Sequence, residues 1–163
     1  MLLYPVRKNS GFTLIEVIVV TIIVGIIAAI SIPNFFGLLQ RNRITEASSS
    51  IEGALREGQK QAERNGSLCT LTIDTANDSV SGDCLFNTRT LRNNVELYSN
   101  AATLSFSGKG TSSAAVIVVQ MPTGGGTDSR RCLVINNLGI IKTGDFTADP
   151  STAANLVAGN CDA

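Results

Sequence analysis

Histidine is absent from all 163 residues of this chain, which removes the commonest general acid–base group and the commonest metal ligand together. A Ser-His triad cannot form, and no Gly-x-Ser-x-Gly nucleophile elbow occurs. Gly108-Lys109-Gly110-Thr111 falls short of a phosphate loop. Gly110 stands where Ser or Thr must follow the lysine, and Thr103 stands where the earlier glycine is required. Charge imbalance is lacking as well: 13 Lys and Arg face 13 Asp and Glu, with a pI near 6.2. The chain as a whole therefore has no electrostatic pull toward nucleic acid. Its acidic residues are scattered singly, which argues against a carboxylate pair or a metal cage. The expectation is a protein that is not an enzyme, with no catalytic, cofactor-binding or metal-binding residues.

The length allows one folding unit plus a membrane segment, and a two-domain enzyme would be cramped. Four cysteines are present, Cys69, Cys84, Cys132 and Cys161, none spaced as Cys-x-x-Cys. That usage favours disulfides in an oxidising compartment over zinc. Three pairings are possible. The most local, Cys69 with Cys84 and Cys132 with Cys161, would close loops of roughly 15 to 29 residues and contribute about 3 to 4 kcal/mol each.

Residues 12–32 read FTLIEVIVVTIIVGIIAAISI and carry a single charge. A helix of that length spans about 30 Å, enough to cross a bilayer. Arg7 and Lys8 precede the run, and the next basic residues are Arg41 and Arg43, so the positive-inside rule places the N-terminus in the cytoplasm and exports the rest. An ordinary secretory signal cut after Ala29-Ile30-Ser31 is the alternative, but the run exceeds the apolar length of such signals. Glu16 is what neither a signal nor a plain anchor explains. A carboxylate in a membrane helix costs on the order of 2.5 to 3.5 kcal/mol, so it requires a partner or a position shallow enough to reach the headgroups.

Pro33 lacks the N–H needed for an internal helix bond and Gly25 weakens the helix upstream, so a bend or break is expected near 29–33. Farther on, Ile44, Ala47, Ile51, Leu55, Gly58 and Ala62 recur every three or four residues, with Arg43, Glu46, Glu52, Arg56, Lys60 and Glu63 largely opposite. This amphipathic continuation ends at Asn65-Gly66. Its small residues, Ala47, Ala54, Gly58 and Ala62, suit the close approach of a sheet. After Gly66 the period changes to two, with strands expected at 68–74, 95–98, 104–106, 116–121, 132–135 and 140–142 between turn-rich loops, among them 124–126. The segment 74–94 shows no placeable motif, and the tail from Gly144 is expected on the surface. The fold class is thus α+β, a long N-terminal helix packed on an antiparallel sheet.

Gly11-Phe12-Thr13-Leu14-Ile15-Glu16, after a short basic leader and before an apolar helix, closely resembles the processing site of type IV pilins and of type II secretion pseudopilins. The resemblance implies that prepilin peptidase cuts between Gly11 and Phe12 and methylates the new amino group of Phe12. It also implies that the Glu16 carboxylate meets the N-terminal amine of a neighbouring subunit during assembly. The stretch from Gly25 to Pro33 would be where the helix loosens in the filament. Two opposite charges that are each costly in a low-dielectric environment offset one another only when brought together, which favours one axial register between helices.

The organisation implied is a leader at 1–11, a transmembrane and polymerisation helix at 12–33, an amphipathic half at 34–66, and an exported β-sheet domain with a C-terminal loop at 67–163. Loss of the leader takes Arg7 and Lys8 and leaves 11 basic against 13 acidic residues. The expected route is a single-pass inner-membrane precursor with its C-terminal domain in the periplasm, then a surface pilus or a periplasmic pseudopilus. Its partners would be other pilin subunits, prepilin peptidase, the inner-membrane assembly machinery and, before assembly, membrane lipid.

Residues 104–111, 116–119, 130–135 and 138–144 look like the core of GspH/FimT-type minor pilins and pseudopilins, and the Cys132–Cys161 pairing is similar to the C-terminal disulfide loop of many pilins. Because FimT-like pilins can bind DNA for natural transformation, Arg130, Arg131 and Lys142 are candidate phosphate contacts. Against this, the tail contains no Lys or Arg and carries Asp145, Asp149 and Asp162.

Overall fold

The computed structural model describes residues 11–92, 94–122 and 130–162, and within the helix the side chains at 30–34 and 36 fall outside that description. The leader at 1–10, with Arg7 and Lys8, and the glycine loop at 124–126 also lie outside the described residues. One helix, α1 (Leu14–Asn65, 52 residues), is followed by nine strands: β1 (Cys69–Asp74), β2 (Ser79–Gly82), β3 (Arg89–Thr90), β4 (Glu96–Ser99), β5 (Thr103–Phe106), β6 (Ala115–Gln120), β7 (Arg130–Ile135), β8 (Ile141–Phe146) and β9 (Cys161–Asp162). Residues up to Leu38 form one compact unit and Leu39–Ala163 another.

In the first unit the apolar side chains of α1 are exposed, with Phe12 at 82% and Ile27 at 60%. The span expected over 12–32 runs into positions 30–34, and among the described residues no helix is long and apolar enough to cross a membrane. Backbone helix continues through Gly25 and Pro33 without the break that the proline led us to expect. Loss of one N–H bond and the clash of the proline ring disfavour the helix there, and the flanking turns nevertheless carry it through.

In the second unit the stripe read from the sequence is the buried face of α1. Ile51, Ala54 and Leu55 are fully buried and Ala62 nearly so. They pack on two antiparallel sheets, ordered β3-β2-β1-β5 and β4-β6-β7-β8-β9. Gly58 shows why the stripe is small. A Cβ there would lie 3.1 Å from Leu71 Cδ1 and 3.3 Å from Cys69 Sγ, tighter than ordinary packing. The helix ends in a glycine cap: Gly66 has φ +62°, Gly66 N–H donates to the Glu63 carbonyl and Ser67 N–H to the Ala62 carbonyl, which satisfies two otherwise orphaned acceptors. Gln59 then fixes two loops at once, its Nε2 donating to the carbonyls of Gly110 (3.2 Å) and Gly139 (3.1 Å).

The single sheet expected from the sequence is therefore two. The difference lies in β2 and β3, four and two residues long, within the stretch that carried no recognisable motif. Ser79-Val80-Ser81-Gly82 has one apolar residue, too few to show a period of two, yet that residue is fully buried. Asp74 shapes the preceding turn. Its carboxylate accepts from Asn77 Nδ2 and from the backbone N–H of Asn77 and Ala76, and these bonds hold its pKa below the ordinary value, the Asn77 side chain foremost. Because the folded pKa is depressed, this support is fully present above the unfolded pKa of Asp and is lost as pH falls through the folded one.

The tail is also not the surface segment expected. Phe146 is fully buried and Leu156 nearly so; with Val116, Val118 and Cys132 they form a second core on the face of β6–β7 turned away from the helix. β6 is accordingly buried along its length, without alternation. Both local cysteine pairs are bonded, Cys69 to Cys84 (Cα–Cα 5.8 Å) and Cys132 to Cys161 (Cα–Cα 6.0 Å).

Gly58→Leu should force the helix and β1 apart. Overpacking of this kind costs about 1 to 3 kcal/mol, and a lowered midpoint for urea unfolding of the exported domain, with α1 helicity retained, is the expected readout. An unchanged midpoint would show that the contact yields without cost.

Candidate functional site

Gly11 and Phe12 lie immediately before α1 in non-helical backbone, and Phe12 is largely exposed. A Cβ placed on Gly11 would meet nothing within 4 Å, so the fold itself does not demand glycine there. Any requirement for Gly11 comes from a molecule that acts on the chain.

Thr13 and Glu16 close the helix start reciprocally. Thr13 N–H donates to Glu16 Oε2 and Glu16 N–H donates to Thr13 Oγ1, both long at 3.4 Å. This is a capping box, in which two of the helix's orphaned donors find acceptors. The sequence reading considered Glu16 only as a partner for a neighbouring chain and gave Thr13 no role. The signal was available in Thr-x-x-Glu before an apolar run. The carboxylate thus has a local use in the single chain, at the positive end of the helix dipole, and it borders a groove lined by Phe12, Val17, Val20 and Thr21.

The candidate phosphate contacts do not form one patch. Arg130 and Arg131 are consecutive on β7 and so point to opposite faces. Arg131 lies with Leu133 and Ile135 on the helix side, where its Nε is 3.3 Å from Asp145 Oδ1. On the other face Arg130 Nη1 donates to the Ala148 carbonyl (2.8 Å). Lys142 pairs with Val134, which puts it about 13 Å along the strand from Arg130. Among the described residues no group of three or more His, Cys, Asp or Glu could hold a metal ion.

Residues 6–32 match the family described as Prokaryotic N-terminal methylation motif, so the match contains Gly11, Phe12, Thr13 and Glu16. Over 53 residues the chain is 47% identical to the type IV major pilin protein PilA of Myxococcus xanthus (strain DK1622), covering 32% of this chain and 24% of that protein. The chain thus spans less than half the length of the curated relatives it first matches. Among solved structures it resembles the type IV minor pilin FimU of Pseudomonas aeruginosa (strain PAO1), with TM-score 0.55, 16% identity, 71% of this chain and 95% of that one covered. It also resembles the minor pseudopilin EpsH from the type 2 secretion system of Vibrio cholerae, with TM-score 0.52, 15% identity, 62% of this chain and 94% of that one covered.

A helix carrying a methylation motif at its start, continued into an antiparallel β domain, defines a type IV pilin-like chain. Within that class the exported domain has the fold of the minor pilins and minor pseudopilins.

Replacing Thr13 by Val keeps its shape and removes its acceptor. The cap is worth about 1 kcal/mol, so amides at 14–17 of the full chain in detergent should exchange about fivefold faster, with those beyond residue 40 unaffected. Equal exchange in the two proteins would show that the cap adds nothing.

Proposed function

We propose that this chain is a structural subunit of a type IV pilus or a type II secretion pseudopilus, which works by polymerisation through α1 and catalyses nothing. The observation that carries the reading is the methylation motif at 6–32 directly joined to a helix whose apolar side chains are left exposed at 14–29. The helix would sit in the inner membrane with its N-terminus cytoplasmic, lose residues 1–11 to a prepilin peptidase, and gain a methyl group on the amine of Phe12. Assembly then transfers it from lipid to the helices of other subunits, with the assembly machinery of the inner membrane as the agent. Glu16 can keep its bond to Thr13 N–H through one oxygen while the other faces the amine of a neighbouring chain, since a carboxylate has several acceptor sites. The stretch from Gly25 to Pro33, helical in the single chain, is where loosening within the filament is proposed.

The fold shared with minor pilins favours a subunit present in few copies that primes assembly. DNA uptake is not the use we assign to it, because Arg130 and Arg131 face opposite sides of β7 and are each engaged within the domain.

Mass spectrometry of assembled filaments should find a chain beginning at Phe12 and N-methylated. A chain beginning at Ile32, or one retaining residues 1–11, would remove the basis of the reading. Glu16→Val should insert and be cleaved normally yet enter filaments at least tenfold less often, and normal incorporation would show that Glu16 has no intersubunit role. The ratio of this protein to the main pilin in sheared filaments should be far below one; a ratio near one would make it a major subunit.

A further inference from the structure

Where α1 enters the exported domain, arginines gather on both sides of its buried stripe. Ile44, Ala47 and Ser48 face the core, and Arg41 and Arg43 flank them on opposite sides at helical spacing. On one flank Arg41 shares a cleft with Ile44, Thr45, Arg131 and Asp145. On the other, Arg43 shares a cavity with Glu46, Ser50, Thr90, Arg92 and Asn94. Two arginines come from the helix, one from β7 and one from the loop before β4, so strands far apart in sequence deliver cations to the same level of α1. Two acids accompany them, with Asp145 3.3 Å from Arg131 and Glu46 3.4 Å from Arg92. Both contacts are open to water, Arg92 being 81% and Glu46 61% exposed, and exposed pairs of this kind are weak. Glu96, the other acid on β4, is taken up by Tyr98 Oη and Gln120 Nε2. Four cations thus face two loosely held anions.

We propose that this ring of arginines, Arg41, Arg43, Arg92 and Arg131, binds the headgroups of anionic phospholipids and seats the exported domain on the outer leaflet of the inner membrane before assembly. The inference rests on the membrane-inserted precursor proposed above and names the lipid chemistry that its domain meets. The first argument is distance. Residues 35–39 are still largely apolar, and at about 1.5 Å per residue Arg41 and Arg43 lie about 3 to 6 Å beyond Leu39, within the depth of a headgroup layer. The second is sign. Cations on the exported side oppose the orientation signal set by Arg7 and Lys8, so gathering them there is unfavourable unless that surface supplies anions. Phosphodiester oxygens suit paired guanidinium groups, which donate in a planar fork. Once the helix leaves the bilayer the headgroups are lost, and the same arginines become available to the acidic surface of neighbouring subunits.

The test uses the full chain in nanodiscs of phosphatidylcholine alone or mixed with phosphatidylglycerol. Native mass spectrometry of the released protein should show phosphatidylglycerol enriched over its bulk fraction by about fivefold for each arginine engaged. Arg92→Gln combined with Arg131→Gln should remove most of that enrichment while insertion persists, since neither residue lies in the apolar helix. Glu46→Gln with Asp145→Asn should raise it. In the unsubstituted chain the Nε–H NMR signals of Arg43, Arg92 and Arg131 should shift when phosphatidylglycerol is added, a readout that does not depend on the variants folding. Retention of both lipids in their bulk ratio, or unmoved arginine signals, in a chain that resists alkaline carbonate extraction would overturn this inference and leave the filament reading standing. A chain that carbonate releases from membranes would overturn both.

Discussion

The contact on which the exported domain depends is the bare approach of β1 to α1 at Gly58. With no side chain between them, Leu71 and Cys69 lie directly on the helix backbone, and Ala54 and Ala62 extend the same narrow seam one turn in each direction. A sheet drawn this close buries Leu71, Leu104 and Phe106 completely. Each such side chain contributes about 1.5 to 3 kcal/mol relative to exposure. Larger residues on the helix would hold the sheet away and open the core to water. The same closeness lets Gln59 reach the Gly110 and Gly139 carbonyls, and lets Glu57 hold the loop before β3 through Phe86 N–H (2.8 Å) and Arg89 (3.0 Å). Strand pairing, loop placement and the β1–β2 disulfide all follow from the helix being thin on one side.

How much of this is legible in the sequence depends on the range of the interaction that decides each element. The helix, its buried stripe and its end at Gly66 rest on neighbours three or four residues apart, and these are readable from Ile44 to Ala62. The strands at 104–106, 116–121 and 132–135 carry enough apolar residues to declare themselves. β2 and β3 do not, because Ser79-Val80-Ser81-Gly82 is turn-like in composition and becomes a strand only when β1 offers it an edge. The burial of Phe146 and Leu156 is likewise decided by β6 and β7 far upstream. One clue existed: Ala115 to Val119 is apolar without alternation, as a strand covered on both faces must be. At the processing end, Gly11, Phe12 and Glu16 were legible through a family resemblance. Thr13 was overlooked because the longer-range use of Glu16 obscured the local one.

The continuity of α1 through Pro33 bears on how the chain could be used. A proline that broke the helix outright would fix a joint in every state. One that is carried through with a bond missing leaves a region that can be helical in one environment and open in another, since the local cost of the helix there is already raised by about 3 kcal/mol. The neighbouring glycines at 25 and 37 have open space around them, so nothing in the single chain pins the segment by packing. What holds it helical is the absence of any other partner for its backbone.

The two disulfides add an ordering in time. Each ties down a piece too small to stay folded by pairing alone: the Cys84 segment, with only the two-residue β3 beyond it, and the two-residue β9, which holds the tail over the second core. Closing loops of 15 and 29 residues contributes about 3 to 4 kcal/mol apiece in the chain-entropy description. That is a large share of the stability of a domain this size. Such bonds form in oxidising compartments and are kept reduced in the cytosol. For a membrane-inserted precursor this makes completion of the domain follow export, whereas the capping box and the apolar face of α1 require neither disulfide nor domain. The end of the chain that is processed on the cytoplasmic side is therefore built from local interactions alone, and the end that needs long-range ones acquires its covalent support only on the far side of the membrane.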